Sequence, residues 1–389
     1  MFAPSGRLAA PQAGVTGASC PVCAAADPQL SVTRDRLPVF QNVVHASREA
    51  ALNAAQAAFA LGTCCACGFS WNTRFDAGVM VYDEHYDNHV ASAMFVDYYR
   101  SLARMLIDRF GIVDGTVYDI GCGKGEFLRV FASLAPGVRC IGIDPSCTPV
   151  SEANFELRRM AVDASVFGDD ARLVLLRHVL EHIATPVGFL QALREAMPAA
   201  PLFVEVPDLD WMLATGAFWD FCYEHCNYFT PASLAGALAR SGFALIDAAA
   251  SFGDQYQWAL ALPGDTVTLP PAAGAALTAV AGYADREAQA LARLAARADA
   301  AGGLVLWGMA TKGVILSVLL GAERVRGGID MNHRKHGRFA PGSGVEIHAA
   351  KWLDTLPADS EILVMNPNYL PEISRIAGAI RSDLAITAA

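Results

Sequence analysis

Apolar and polar positions change period several times along the chain, and each change marks an element. Residues 81–111 (VYDEHYDNHVASAMFVDYYRSLARMLIDRFG) open as a polar aromatic loop and settle into an amphipathic helix. Val117–Ile120 is an apolar run carrying one acid, Asp119; it breaks into Gly121-Cys-Gly123-Lys-Gly125 and passes into a helical pattern. IGIDP (141–145), LVLLRHVLEHI (173–183) and FVEVP (203–207) continue the alternation, and FALIDAAAS (243–251) with QWALALP (257–263) reads as an antiparallel pair. Strand-like and helix-like segments thus alternate from Val117 to about Pro263, which predicts an α/β domain over 81–263. Residues 264–303 open with Pro and Gly and become one alanine-rich helix from about Ala276 to Ala301, a linker or packing arm. A second α/β unit is predicted over 304–389 from VLWGMATKG (305–313), GGID (327–330) and ILVMNPNYLPEI (362–373). No internal repeat is evident.

Composition narrows the class. A chain of 389 residues exceeds one average domain. The net charge of −10 argues against a protein held on nucleic acid by phosphate neutralisation. Alanine supplies much of the hydrophobic content, and no apolar run approaches a membrane span. The opening MFAPSGRLAAPQAG lacks the basic-then-apolar layout of a secretory signal and reads as a loose tail. The expectation is a soluble cytoplasmic protein acting on a small molecule.

The glycine turn brings in chemistry. A strand that delivers Gly121, Gly123 and Gly125 lets a ligand approach the backbone, and the following helix N-terminus offers unpaired N–H groups. Asp144, at the end of the next strand, is placed to accept hydrogen bonds from a ribose diol, so a nucleoside-containing cofactor is expected. The dinucleotide fingerprint does not match, because its last glycine falls on Glu126.

Cys20, Cys23, Cys64, Cys65 and Cys67 all precede residue 70. Cys20-Pro-Val-Cys23 and Cys64-Cys-Ala-Cys67 form two knuckles, the second followed by Gly68. Four thiolates on two tight turns suit a structural, closed zinc site in a small module over 17–78. Redox-active cysteine pairs and chance clustering are the competing readings. At the other end of the chain, Lys312 lies at a helix start, Asp330 ends a strand, and Arg334, Lys335, His336 and Arg338 make a basic loop. Helix N-termini beside basic residues suit phosphate groups, so a diphosphate-bearing substrate is expected there; the alternative is a solvated loop.

Asp119-x-Gly121-x-Gly123-x-Gly125 resembles motif I of class I S-adenosylmethionine-dependent methyltransferases, and LVLLRHVLEHI resembles their fourth strand and turn. The resemblance implies Asp119 near the methionine end, Gly121 and Gly123 facing the cofactor, Asp144 on the ribose, Asp163 near adenine, and His178 near the methyl end. Tyr82 and Tyr86 would form a lid. With the cysteine knuckles, YEHCNYF (223–229), WGMATKG, DMNHRKHGRFAPG and NPNYLPEI in order, the whole layout resembles the zinc-containing sugar C-methyltransferases. That family implies a Rossmann-like methyltransferase domain flanked by an N-terminal zinc module and a C-terminal Rossmann-like domain. It also implies a nucleotide-linked deoxysugar as substrate, with Tyr228, Lys312, Asp330, Lys335, Arg338 and Asn366 as contacts.

Carbon methylation requires a proton beside a ketone to leave and the enolate to be stabilised. Within YEHCNYF, His225 is the expected base, with Glu224 and Tyr223 tuning it or donating to the oxyanion. Members of that family carry Tyr-His-Glu-His where this chain has Cys222-Tyr223-Glu224-His225. The departure leaves oxygen or nitrogen methylation open, and a binding protein that lost turnover is the third reading.

Overall fold

The computed structural model of the chain describes residues 19–80, 92–162, 166–197, 200–264 and 273–389. Near the start, β1 (Gln29–Pro38), a short helix α1 (Arg48–Leu52), β2 (Gln56–Thr63) and β3 (Ser70–Asn72) build a small antiparallel sheet. The first cysteine turn precedes β1 and the second joins β2 to β3.

The predicted amphipathic helix is α2 (Ala93–Phe110), capped by the Ser92 hydroxyl and ended by Gly111 at φ 56°. It leads into β4 (Thr116–Ile120), α3 (Glu126–Leu134), β5 (Arg139–Ile143), β6 (Val150–Ser151), β7 (Phe155–Arg158) and β8 (Ala171–Arg177). Then follow α4 (Pro186–Ala196), β9 (Leu202–Pro207), α5 (Leu209–Thr215), β10 (Asn227–Tyr228), α6 (Pro231–Arg240), β11 (Phe243–Ser251) and β12 (Tyr256–Pro263). The sheet order is β11-β12-β9-β8-β4-β5-β7-β6. β9, β8, β4, β5 and β7 run parallel, and β11–β12 is the predicted antiparallel pair. Central parallel strands are covered on both faces, which is why LVLLR of β8 and LFVEV of β9 are buried throughout. Strand order reverses at β4 and β8, and ligands of open α/β sheets bind outside the carboxyl ends at such a point.

The predicted single helix after residue 264 is instead two, α7 (Ala273–Val280) and α8 (Tyr283–Ala300), because Gly282 opens the second at φ 65°. The α8 helix is no loose spacer. Tyr283 and Ala298 are buried, and Glu287 pairs with Arg34 of β1 at 2.8 Å. The second unit comprises β13 (Leu304–Trp307), α9 (Thr311–Leu320), β14 (Val325–Ile329), β15 (Arg338–Phe339) and β16 (Glu346–His348), then β17 (Glu361–Val364), α10 (Leu370–Ile380) and β18 (Ala385–Ala388). Its order is β15-β16-β14-β13-β17-β18, with β13 parallel to both neighbours, so it too has a switch point. One apolar cluster runs from Phe59 and Leu61 of β2 through Phe221 and Tyr228 to Tyr283 and Leu316, joining the cysteine module, the arm and the last unit. Among the described residues, no helix is long and apolar enough to cross a membrane.

Candidate active site

The glycine turn after β4 takes the form the sequence predicts, with Gly121, Gly123 and Gly125 at φ 71°, 54° and 73°. The three serve different ends. A Cβ on Gly121 would lie 2.3 Å from Val179 Cγ2, and one on Gly125 2.8 Å from Leu157 Cδ2, so both are packed against protein. Only Gly123 has open space on its Cβ side. Val179, from the turn after β8, occupies the Cβ side of Gly121. Asp144 sits at the end of β5, where Oδ2 accepts from the Gly123 N–H at 3.0 Å and Oδ1 from the Ser146 N–H and hydroxyl. It therefore braces the turn beside which a ribose would lie. Burial pushes the Asp119 carboxyl up to about 7; Arg177 opposes the shift and Asp144 adds to it.

A cavity of about 320 Å³ lies where the carboxyl ends of the two sheets face each other. From the first sheet it is lined by His178, Glu181 and His182, which follow β8, together with Pro207 of β9 and His225. From the second it is lined by Gly308, Lys312, Asp330, Lys335 and Asn366. His178 is held at φ 53° between two carboxylates, Glu181 at 3.5 Å and Glu205 at 3.4 Å, with its ring edge-on to Tyr256. Burial lowers its pKa, but the two carboxylates outweigh that and raise it to about 9. Behind it, Arg177 donates through Nε and Nη2 to Glu205 at 2.9 and 2.7 Å, and its guanidinium stacks on Tyr99 and Phe127. Burial alone would raise the Glu205 carboxyl, yet Arg177 and His178 hold it down at about 2.

The YEHCNYF segment divides. The His225 ring meets His182 edge-on at 4.9 Å in the cavity, and burial, with His182 beside it, lowers its pKa to about 3. Tyr223, Glu224 and Tyr228 do not line the cavity, so the expected substrate contact of Tyr228 and the expected donation of Tyr223 or Glu224 to an oxyanion are corrected. The Tyr223 hydroxyl accepts from the Asp76 N–H at 2.9 Å, and Glu224 Oε1 from the Gln41 N–H at 2.7 Å. The Tyr228 hydroxyl lies between the N–H and C=O of Cys222. These bonds fasten the segment, Tyr223 and Glu224 to the module and Tyr228 to Cys222, and of residues 223–229 His225 lines the cleft.

On the opposite wall, Lys312 is paired with both carboxylate oxygens of Asp220 and lies over the Trp211 ring. Lys335, 2% exposed, donates to the Met309 carbonyl at 3.1 Å and lies 3.7 Å from Asp330. Asn366 exchanges amide hydrogen bonds with Gln255 at 2.6 and 2.9 Å. Arg338 is exposed on β15 and does not line the cavity, so that expected contact is corrected as well; the short β15–β16 pairing turns it outward. Asp163, Tyr82 and Tyr86 lie outside the described residues.

Cys20, Cys23, Cys64 and Cys67 converge, with sulfur atoms all within 4.8 Å of one another. Cys20 and Cys67 are 3.6 Å apart and Cys23 and Cys64 3.5 Å, while the N–H groups of Ala66 and Cys67 point at Cys64 Sγ. Four thiols so disposed fit a tetrahedral ion; Cys65 is exposed and faces away from them. The cluster bears on the cleft through β10, which pairs with β3 as the fourth strand of the module's sheet. Two site residues escaped the sequence reading. Glu181, within RHVLEH, and Glu205, within FVEVP, look like ordinary surface acids until burial is known; the signals available were the three-residue spacing of Glu181 from His178 and the place of Glu205 inside an apolar strand.

Residues 91–248 match a family model described as a methyltransferase domain. The chain is similar to the ubiquinone biosynthesis O-methyltransferase of Cereibacter sphaeroides (strain KD131 / KCTC 12085), 26% identical over 165 residues, or 37% of this chain and 66% of that protein. It thus spans 66% of the length of the curated relatives it matches, just under two thirds. Similar solved structures include CalO1, a methyltransferase in calicheamicin biosynthesis in its SAH-bound form, at 18% identity and TM-score 0.34, covering 42% of this chain and 54% of that one. Another is the 1,6-didemethyltoxoflavin-N1-methyltransferase of Burkholderia thailandensis, at 16% identity and TM-score 0.33, covering 44% and 82%.

Proposed function

With a methyltransferase-domain match over 91–248 as premise, we propose that the chain is an S-adenosylmethionine-dependent methyltransferase whose acceptor occupies the cleft between the two sheets. One observation carries this reading: the carboxyl ends of both sheets open onto one cavity, beside the residues that follow β8. The cofactor would lie along Gly123 and Asp144, with its methionine end toward Asp119, and would bring an electrophilic methyl group. The chain must then place a nucleophile in line with that methyl and handle its proton.

The acceptor we favour is a nucleotide-linked keto-sugar methylated at carbon. A second nucleotide-style unit forms the far wall, and the Glu181–His182–His225 group lies on the near wall where a proton would leave. In the simplest assignment His225 takes that proton. Zinc at the four cysteines would hold the module that fixes the His225 segment. Oxygen methylation is the second reading, favoured by the absence of Tyr223 and Glu224 from the cavity.

Incubation with nucleotide 4-keto-6-deoxysugars in deuterated water, without cofactor, tests the choice. Deuterium entry beside the ketone above the uncatalysed rate, lost in His225→Ala, is expected. Absence of exchange in protein shown by calorimetry to bind S-adenosylmethionine would move the acceptor to a heteroatom. Failure to bind the cofactor at all would overturn the methyltransferase reading.

A further inference from the structure

We propose that Glu181, His182 and His225 form a binding site for a divalent first-row transition-metal cation on the cleft wall, apart from the four-cysteine site. Each offers one ligand atom, and these atoms lie within 4.8 Å of one another. Two of the three residues present buried atoms with nothing to bond. Glu181 is 1% exposed and its Oε2 has no hydrogen-bond partner, nor has the enclosed Nδ1 of His225. A buried acceptor left unmade costs about 1–3 kcal/mol, and two in one cluster call for a shared partner. A cation satisfies both at once.

The surroundings are built to hold ligands still. The Asn227 side-chain amide donates to the carbonyls of Leu180 and Ile183, at 3.0 and 2.6 Å, so the turn carrying Glu181 and His182 is stapled to the strand after His225. Cys226 Sγ reaches the Glu181 carbonyl at 3.3 Å. His182 Nδ1 lies 3.0 Å from the Glu224 carbonyl, which can only accept. That bond places the proton on Nδ1 and the lone pair on Nε2, the arrangement by which a neighbouring carbonyl orients a metal-binding imidazole.

Two imidazoles and one carboxylate favour zinc, cobalt, manganese or iron over magnesium or calcium, which prefer all-oxygen sets. Three protein ligands leave positions open, and all three residues line the cavity. The inference rests on the reading that the acceptor lies there. A cation so placed takes a carbonyl or hydroxyl oxygen of the acceptor and stabilises the charge that develops on it. With its lone pair on the cation, His225 would not be the base of the simplest assignment above; in the metal-bound protein the acceptor's proton would pass to a water or hydroxide at one of the open positions.

Cobalt(II) titration of the purified full chain separates the two sites. The four-cysteine site gives intense thiolate-to-metal charge-transfer bands, whereas nitrogen and oxygen ligands give only weak visible bands. The expected result is a second cobalt equivalent carrying weak bands, displaced by zinc and lost in both Glu181→Gln and His225→Asn. Using two variants guards against one failing to fold, and circular dichroism checks each. All cobalt bound as thiolate complex in the wild type, or a second equivalent unchanged in both variants, overturns the site. S-adenosylmethionine affinity is measured in the same samples: its presence with no second metal sinks this inference alone, and its absence in the wild type sinks the methyltransferase reading.

Discussion

Asp119 sits at the end of a buried strand, where water cannot stabilise its charge and its pKa climbs to about 7. The sign of the consequence follows from linkage. Folded Asp119 binds its proton more tightly than the unfolded chain, whose carboxyl titrates near 3.8. This residue's contribution therefore makes the cofactor-free protein less stable as pH rises from about 4 to about 7, by a few kcal/mol in order of magnitude. A cofactor bearing positive charge beside it favours the ionised form and reverses the preference. Calorimetry should show S-adenosylmethionine affinity falling about tenfold per pH unit below roughly pH 7 and levelling off above it. Asp119→Asn should bind more weakly and lose that slope. A wild-type affinity flat between about pH 5.5 and 8 would remove Asp119 from the cofactor site.

β10, only two residues long, joins the first α/β unit to the cysteine module. Asn227 and Tyr228 pair with Trp71 and Ser70, and the Asn72 N–H donates to the Cys226 carbonyl at 2.9 Å. With Tyr223 on Asp76 and Glu224 on Gln41, the segment holding His225 is suspended from a module whose cysteine turns are set by a metal-shaped cluster. A structural zinc at that cluster would supply on the order of 10 kcal/mol to the module, so emptying the cluster would release the segment. Chelation, or Cys64→Ser, should speed amide hydrogen exchange across 70–72 and 223–229 by more than about tenfold, leave β4 and β5 protected, and abolish turnover while cofactor binding survives. Unchanged exchange in 223–229 would show that the module does not support the site. The knuckles and strands were legible because spacing and apolar runs are local signals. The facing of Tyr223, Glu224 and Tyr228 was not, since Glu224 finds its partner 183 residues away and nothing in YEHCNYF records it. Glu181 was passed over for the same reason: only tertiary burial separates it from a surface glutamate.

Across the whole molecule, the cleft exists because two α/β units meet at their carboxyl ends, and beside the apolar cluster that joins them runs a polar seam. Gln255, beside β12, and Asn366, after β17, exchange two amide hydrogen bonds, and the Asn368 amide donates to the Phe252 carbonyl at 2.6 Å. Ser92, the cap of α2, donates to Glu372 of α10 at 2.6 Å. The ends of β13, β14 and β17 were legible as strands breaking at Gly308, Asp330 and Asn366; what those ends confront belongs to the docking of two units, which no local pattern encodes. Polar seams of this kind set alignment and permit relative motion. Asn366→Ala leaves Gln255, 2% exposed, without its partner, at a cost of about 1–3 kcal/mol in the aligned state. The acceptor KM should rise about tenfold, with S-adenosylmethionine affinity unchanged, because the proposed cofactor contacts Asp119, Gly123 and Asp144 all lie in the first unit. Asn366 was also expected to touch substrate, and its partner separates the two roles. If the pair acts as a clasp, Gln255→Ala reproduces the KM effect and the double variant adds little to either single one. A raised KM in Asn366→Ala alone would instead put that amide on the acceptor.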